Sequence, residues 1–277
     1  MVAVMCRVSV LLAVMYFALG CTHAHAQAAR RTVVKPFGFD TSREGEYTSG
    51  AIRADWPSVE FGEPNGRAFI VRDDRTHGKV LRVSYPKGSV GPSQGGMQFL
   101  VKLPPADEYW LSYLVKFEEG FDFRKGGKLP GLTSGGSRFT GGKKPENGEG
   151  WSARYMWREA GVPEIYLYYV DMPGEWGQGI VFKDAKFEPG RWHRLTQHIR
   201  INKPDKADGL LEAWFDDKLV LSRNDLRLRI GNQGQIDSFY FSTFHGGQGE
   251  EWAPKSDVFA RFDDFLLDTR RPAFIKP

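Results

Sequence analysis

The sequence predicts an all-β protein, a β-sandwich in which two curved antiparallel sheets pack face to face. Short runs of alternating apolar and polar residues recur along the chain, and no long stretch shows helical periodicity. Gly, Pro, Asn and Asp separate these runs at fairly even spacing, and 14% of the residues are aromatic, which suits a two-sheet core. One sandwich can use a chain of this length, so a single domain is predicted over residues 36–277, after a flexible lead-in at 27–35.

Six runs have the alternation expected of strands. In one of them, Trp110–Phe117, the apolar side chains at positions 111, 113, 115 and 117 share a face, which predicts a buried face and a more polar one. In another, Gly209–Leu221, a turn is predicted at Asp216-Asp217. The six predicted strands are Lys79–Tyr85, Trp110–Phe117, Trp192–Ile201, Gly209–Leu221, Ile236–Thr243 and Phe259–Leu267.

Residues 1–26 have the features of a signal peptide. Arg7 precedes an apolar run at 8–19 that is too short to span a membrane, and Ala24-His25-Ala26 forms an A-x-A cleavage site. A second interpretation is a lipid anchor on Cys21, because the four residues ending there loosely resemble a lipoprotein box. Both interpretations predict export, so the protein is expected to be periplasmic or secreted, with no membrane span.

Cysteine content and charge restrict the chemistry. The only cysteines, Cys6 and Cys21, both lie in the predicted signal peptide, so the mature chain has no disulfide and no thiolate zinc site. The formal net charge of +4 is too small to identify a partner, and no nucleic-acid partner is predicted. Local clustering is more informative, because six cations interleaved with glycines lie between residues 124 and 144, and they form either a solvated basic loop or an anion-binding cleft. They are Arg124, Lys125, Lys128, Arg138, Lys143 and Lys144.

Two runs beyond this cluster carry polar residues at every other position. Ser152 and Arg154 lie in WSARYMW, and Tyr166 and Tyr168 lie in EIYLYYV. A strand sends alternate side chains to the same face, so each pair points one way from two strands joined by a turn at 158–163. Fixed cations, a hydroxyl and two phenols on one surface suit an acidic sugar polymer.

Lys128 lies upstream of this surface in the run KGGKLPG. The glycine-rich segment at 133–150 falls directly between Lys128 and Ser152. Long irregular segments inside compact domains are usually functional or disordered, so a lid over a cleft is predicted there.

Several other chemistries have no motif in this chain. The sequence lacks H-E-x-x-H, G-x-S-x-G and a complete P-loop, so no metal and no cofactor are predicted. Three adjacent acid pairs point to opposite faces of a strand and cannot flank one glycosidic bond. These pairs are Glu118-Glu119, Glu250-Glu251 and Asp263-Asp264.

The runs KGGKLPG, S-A-R and Y-x-Y, in this order, resemble those of polysaccharide lyase family 14, which includes alginate lyases and glucuronan lyases. Val80–Gly88 and Gly95–Phe99 resemble the early strands of the family, and Ser242–Gly247, Trp252–Asp257 and Phe262–Phe265 resemble its closing ones. The resemblance covers most of the mature chain. It implies a concanavalin-like jelly-roll sandwich with the substrate in a cleft on the concave face.

The resemblance also implies a function and a site. The expected function is β-elimination on a uronic-acid polysaccharide, alginate or glucuronan, to give unsaturated ends. The expected catalytic residues are Lys128, Arg154, Tyr166 and Tyr168, and the expected substrate-binding residues are Ser152, Lys125, Arg138 and His245.

Three points stay open in the sequence. The base is either one of the two tyrosines or Lys128, and Lys125 replaces Lys128 if the register is shifted. His245 stands where an aromatic side chain is expected. The alternative function is a non-catalytic carbohydrate-binding module for acidic polysaccharides, while the missing acid pair counts against a glycoside hydrolase.

Overall fold

A computed structural model describes residues 34–73 and 77–276 of the chain, with side chains from Phe37 onward, and these residues belong to one compact unit. They confirm the all-β prediction, since they contain sixteen strands, one short α-helix (α1, Ser49–Asp55) and a 3-10 turn (Glu159–Gly161). The strands are β1 (Val34–Phe37), β2 (Gly45–Glu46), β3 (Val59–Glu63), β4 (Ala68–Arg72), β5 (Lys79–Tyr85), β6 (Met97–Ala106), β7 (Glu108–Phe117), β8 (Gly126–Ser134), β9 (Trp151–Arg158), β10 (Pro163–Tyr168), β11 (Gln178–Val181), β12 (Trp192–Arg200), β13 (Gly209–Phe215), β14 (Lys218–Leu226), β15 (Ile236–His245) and β16 (Val258–Asp268).

The strands form two antiparallel sheets. The nine-stranded sheet has the order β14-β13-β12-β7-β16-β5-β4-β2, with β1 beside β16. The seven-stranded sheet has the order β11-β10-β9-β8-β15-β6-β3. Neighbours in each sheet are often far apart in sequence, because the chain crosses repeatedly between the sheets, as it does in a jelly roll.

The core lies between the two sheets. In β7 the predicted apolar face is buried, with Leu111 and Tyr113 fully covered. From the facing sheet, β9 contributes Trp151, Tyr155 and Trp157, which are also fully covered. Because side chains alternate along a strand, Ser152, Arg154 and Met156 of β9 point away from the core. That second face of the seven-stranded sheet is where the polar residues lie.

The tight turns follow the predicted turn residues. Between β9 and β10, Ala160 and Gly161 have φ values of 56° and 80°, and a Cβ on Gly161 would lie 2.7 Å from the carbonyl oxygen of Phe187. Between β13 and β14, Asp216 and Asp217 have φ values of 50° and 62°, as short polar turn residues tolerate.

The ends of the chain and one short helix remain to be compared with the sequence predictions. The first strand begins at Val34, two residues before the predicted domain start, while the signal peptide at 1–26 and Cys21 lie outside the described residues. Helix α1 was not predicted, since it has only seven residues, about two turns, and its only buried residue is Ile52. No helix among residues 34–73 and 77–276 is long and apolar enough to cross a membrane.

Candidate active site

A cleft of about 830 Å³ lies on the outward face of the seven-stranded sheet. Its floor is built from β6, β8, β9, β10 and β15, and its rim includes the exposed Trp176 and the partly buried Trp252. The four residues predicted to be catalytic all line this one cleft. They are Lys128, Arg154, Tyr166 and Tyr168.

Strand register explains how these residues meet. In the β9–β10 pair, Arg154 lies opposite Tyr166 and Ser152 lies opposite Tyr168, as the alternation predicts. Residues directly opposite on antiparallel strands have Cβ atoms about 5 Å apart. The two polar pairs therefore form one patch.

The KLPG segment brings β8 close to this patch. The β8–β9 register shifts between Lys128 and Gly131, which is a bulge that re-aims side chains next to the cleft. A Cβ on Gly131 would lie 2.1 Å from the carbonyl oxygen of Ala153, so only glycine allows the two strands to pair there. This bulge sets Lys128 opposite Met156, whereas the register of Gly131 with Arg154 would set it opposite Trp157.

Arg154 is a buried cation that has no carboxylate partner among the described residues. Its side chain is only 2% exposed, its Nη1 donates to Ser242 Oγ at 3.4 Å, and its Nε has no partner. Burial lowers the pKa of Arg154, but a guanidinium keeps its charge in proteins. An uncompensated buried cation is costly, so this position is suited to receive an anion.

Lys128 has its amine in a desolvated position. Nζ lies 2.8 Å from the sulfur of Met156, a weak acceptor that carries no charge. Burial, followed by the cations of Arg154 and Arg158, holds the pKa of Lys128 well below its usual value of 10.5, while Glu164 acts in the opposite direction. A lower pKa favours the neutral amine, which is the form that accepts a proton.

Tyr166 is set to keep its proton. The Lys128 amine lies 3.8 Å from the centre of the Tyr166 ring, and the rings of Tyr166 and Tyr168 meet edge to face at 5.5 Å. Burial and the neighbouring Tyr168 raise the pKa of Tyr166. A phenol with a raised pKa therefore lies next to an amine with a lowered pKa in a single cleft.

The predicted lid is fastened to the sheet by two of the predicted site residues. Tyr168 Oη accepts a hydrogen bond from Gly142 N at 3.0 Å, and Ser152 Oγ donates to Phe139 O at 2.7 Å. Ser152 is fully covered and does not line the cleft. Its hydroxyl holds the loop, whereas Tyr168 contacts both the loop and the cleft.

Two exposed cations predicted to bind substrate, Lys125 and Arg138, are not among the residues that line this cleft. Lys125 pairs with Glu251 at 3.4 Å, and Arg138 pairs with Glu149 at 3.6 Å. Both side chains are more than half exposed and neither lines the cleft. The structure gives no support to a direct substrate contact for either one.

His245 lies in the core rather than in the cleft. Its ring stacks on Phe121 and contacts Tyr85 and Trp157, and its Nε2 lies 2.8 Å from the carbonyl oxygen of Asp122. Burial lowers the pKa of His245 to about 4, so the imidazole is neutral and packs as an aromatic ring. It therefore fills the place of the aromatic side chain expected there, and its predicted substrate contact has no support.

Three of the cleft residues that were not predicted from the sequence are Trp176 at the rim and Gln98 and Tyr240 in the opposite wall. Met156, the neighbour of the Lys128 amine, was also not predicted. The signal for Tyr240 was present, because Tyr240, Ser242 and Phe244 alternate along one strand as Ser152 and Arg154 do. Which strands lie beside β9 is not visible in that alternation.

A larger cavity of about 1010 Å³ adjoins the cleft across Gly247 and Gln248. It is lined by exposed residues such as Lys87 and Lys255, and it contains neither Arg154 nor any tyrosine. In the described part of the chain, no group of three or more His, Cys, Asp or Glu side chains is arranged to hold a metal ion. The four residues predicted to be catalytic therefore lie in the smaller cleft.

A jelly-roll sandwich whose cleft holds a buried arginine without a carboxylate partner in the described chain, a lysine with a lowered pKa and two tyrosines is the arrangement expected of a polysaccharide lyase. Residues 73–265 match the family model of polysaccharide lyase 14. This match covers more than half of the chain, so the protein belongs to polysaccharide lyase family 14.

Solved structures agree with this assignment. The chain is similar to alginate lyase Aly36B, with 25% identity, a TM-score of 0.74 and coverage of 84% of this chain and 95% of that one. A double mutant of the same enzyme in complex with an alginate trisaccharide has 25% identity, a TM-score of 0.75 and coverage of 85% and 98%. A marine alginate lyase of the same family from Aplysia kurodai has 25% identity, a TM-score of 0.73 and coverage of 86% and 100%. A search of curated protein sequences found no match.

Proposed function

We propose that this polysaccharide lyase is exported and cleaves a uronic-acid polymer, with alginate as the first candidate, by β-elimination. The observation that carries the proposal is the buried guanidinium of Arg154, which lacks a carboxylate partner in the described chain and lies beside the desolvated amine of Lys128. The similar structures named as alginate lyases, one of them with a bound alginate trisaccharide, support the choice of substrate. The A-x-A segment before Gln27 supports a periplasmic or secreted location.

In the proposed reaction, Arg154 binds the carboxylate of the sugar that is attacked. The neutral amine of Lys128 removes the proton from C5, and the electron pair of that bond is delocalised into the carboxylate. Arg154 stabilises the dianion that develops, and one such donor contributes about 100- to 1000-fold to the rate. The fork of a guanidinium matches the two carboxylate oxygens, which suits this role.

The second half of the reaction breaks the bond between C4 and the glycosidic oxygen. A double bond forms between C4 and C5, and the leaving oxygen takes a proton from Tyr166. Lys128 is then an ammonium and Tyr166 a phenolate. The Lys128 amine lies 3.8 Å from the centre of the Tyr166 ring, so the two groups are neighbours. Net transfer of a proton from the ammonium to the phenolate, through solvent in the cleft, restores the starting state of both. The directions of the two pKa shifts favour Lys128 as the base and Tyr166 as the acid.

The test of this proposal is a product assay on the purified mature protein. We expect an increase in ultraviolet absorbance from unsaturated uronate ends with at least one of polymannuronate, polyguluronate and glucuronan. The substrate that reacts fastest identifies the preferred uronate. If all three polymers bind and none gives unsaturated product, the protein is a carbohydrate-binding module and the proposed reaction is wrong.

The pH dependence of the reaction is expected to follow Lys128. A base must be neutral, so activity is present above the pKa of Lys128 and is lost as pH falls through it. Arg158 pairs with Glu164 at 2.9 Å, and its cation helps to lower the pKa of Lys128. Replacing Arg158 with glutamine removes that cation and leaves the Glu164 charge unscreened, so the acidic limb of kcat/KM should move to higher pH.

The measurement is a pH profile of kcat/KM for Arg158→Gln beside the wild type. Arg191→Gln is the matched control, because Arg191 is an exposed arginine whose partners, Glu188 and Asp216, lie outside the cleft. In Arg191→Gln, the acidic limb of the kcat/KM profile should stay at the wild-type pH. An acidic limb that stays in place or moves to lower pH in Arg158→Gln would mean that Lys128 is not the titrating base.

A further inference from the structure

The wall of the cleft opposite Tyr166 is formed by β6 and β15. Gln98 of β6 is the cross-strand partner of Ser242 of β15, and Tyr240 lies two residues before Ser242 on the same face. Tyr240 is 4% exposed and Gln98 is 9% exposed, and both line the cleft. The predicted site and the proposed mechanism assign neither of them a role.

The hydrogen bonds of this wall leave one donor unused. Gln98 Nε2 has two hydrogens, and it donates to Tyr240 Oη and to Ser242 Oγ, the latter at 2.9 Å. Tyr240 is therefore the acceptor in its bond with Gln98. Ser242 also forms a hydrogen bond with Tyr240. Because Ser242 Oγ already accepts from Gln98 Nε2 and from Arg154 Nη1, its own hydrogen is the one directed at Tyr240 Oη. The hydroxyl hydrogen of Tyr240 is therefore left for the cleft that Tyr240 lines.

The same network is joined to Arg154. The Arg154 Nη1 donates to Ser242 Oγ at 3.4 Å, and the centre of the Tyr240 ring lies 5.7 Å from the Arg154 Cζ. A carboxylate has two oxygens with about four lone-pair sites, so it can accept from a guanidinium and a phenol together. The unused hydroxyl of Tyr240 and the unpaired guanidinium of Arg154 thus lie at one place in the cleft.

We propose that Tyr240 donates a hydrogen bond to the same uronate carboxylate that Arg154 binds, and that Gln98 is the positioning residue that fixes the direction of this bond. This inference rests on the proposed function, because it names a second binding group for the substrate of that site. The expected consequence is selectivity for charged over neutral sugars. The Tyr240 oxygen already accepts a hydrogen bond from Gln98, so it is poorly placed to accept another from a sugar hydroxyl.

Packing alone does not account for this arrangement. A buried phenylalanine would fill the same space next to Phe61, whose ring contacts that of Tyr240 at 6.2 Å. The hydroxyl instead comes with a buried amide that holds it as an acceptor. Burial raises the pKa of Tyr240, so its hydroxyl stays protonated and able to donate.

The experiment compares binding of a uronate oligosaccharide with binding of its methyl ester, which keeps the size and loses the charge. Both are titrated by calorimetry into Lys128→Met protein, in which cleavage is expected to be blocked, with and without Tyr240→Phe. We expect Tyr240→Phe to weaken binding of the acid by about 10- to 100-fold, the range for a hydrogen bond to a charged group, and to change binding of the ester by less than about 3-fold.

The matched control is Tyr169→Phe, because Tyr169 is another buried tyrosine with one side-chain hydrogen bond, at 2.9 Å to Gln178 Oε1, and it does not line the cleft. Tyr169→Phe should lower the thermal unfolding midpoint about as much as Tyr240→Phe does. It should leave the affinity for the uronate oligosaccharide unchanged. Gln98→Met added to Tyr240→Phe should cause little further loss, because the amide acts through the phenol.

Two results separate the possible failures. Equal affinity for the acid with and without Tyr240→Phe, or an equal loss for acid and ester, overturns the inference while the proposed function stands. No binding of any uronate oligosaccharide to the parent protein overturns the proposed function itself.

Discussion

Replacing Lys128 with methionine is expected to lower kcat by about 10²- to 10⁴-fold, the usual contribution of a general base. Methionine has a similar length and no charge, and it would lie against Met156, where the amine now sits 2.8 Å from the sulfur. The substitution removes a desolvated amine, so the free energy of unfolding should stay the same or rise. The measurement is the initial rate of unsaturated product formation, together with the thermal unfolding midpoint.

Lys125→Met is the control for this result. Lys125 lies three positions earlier in the same glycine-rich run, but its side chain is exposed and pairs with Glu251. We expect near wild-type rates. A loss of activity in Lys125→Met with activity retained in Lys128→Met would show that the register of the motif is shifted by three residues. Activity retained in both variants would transfer the role of base to a tyrosine.

Replacing Arg154 with methionine is expected to decrease activity and increase stability. The loss of the carboxylate donor should lower kcat by about 100- to 1000-fold. The unfolding midpoint should rise, because the guanidinium is buried without a carboxylate partner among the described residues and its Nε is unsatisfied. Such an exchange of stability for activity is common where an active site holds a group for its ligand rather than for the fold.

Arg229→Met is the control with the opposite expectation. Arg229 is similarly buried, but its Nε donates to Asn202 O at 2.8 Å and it lies 3.6 Å from Asp107, outside the cleft. Its replacement should lower the midpoint and leave the rate unchanged. If Arg154→Met lowers the midpoint as Arg229→Met does and retains activity, then Arg154 is a structural residue and the carboxylate site lies elsewhere.

Most strands could be predicted because their signal is local. The predicted strand Lys79–Tyr85 coincides with β5, and Trp110–Phe117 lies within β7, since each has enough alternation to reveal a buried face. Helix α1 gave no comparable signal, because one buried residue makes no periodicity. The paired faces of β9 and β10 were also predictable, because a short turn joins these two strands and makes them neighbours.

The site was predicted less completely, because alternation says which way a side chain points and not what covers it. Ser152 points as predicted, but the loop carbonyl of Phe139 occupies its hydroxyl. His245 belongs to a strand that also contributes to the cleft, yet its ring is in the core. The catalytic roles of Lys128, Arg154, Tyr166 and Tyr168 stay predictions until the substitutions are made.

The sequence by itself determined the all-β class, most of the strands and the polar face shared by Arg154 and Tyr166. Only the tertiary structure decided which other strands complete that face. Gln98 and Tyr240 are 142 positions apart in the chain, and they meet because β6 pairs with β15. The same packing removes water from the Lys128 amine and so lowers its pKa. Desolvation depends on every neighbour at once, which is why no run of residues in the sequence shows it.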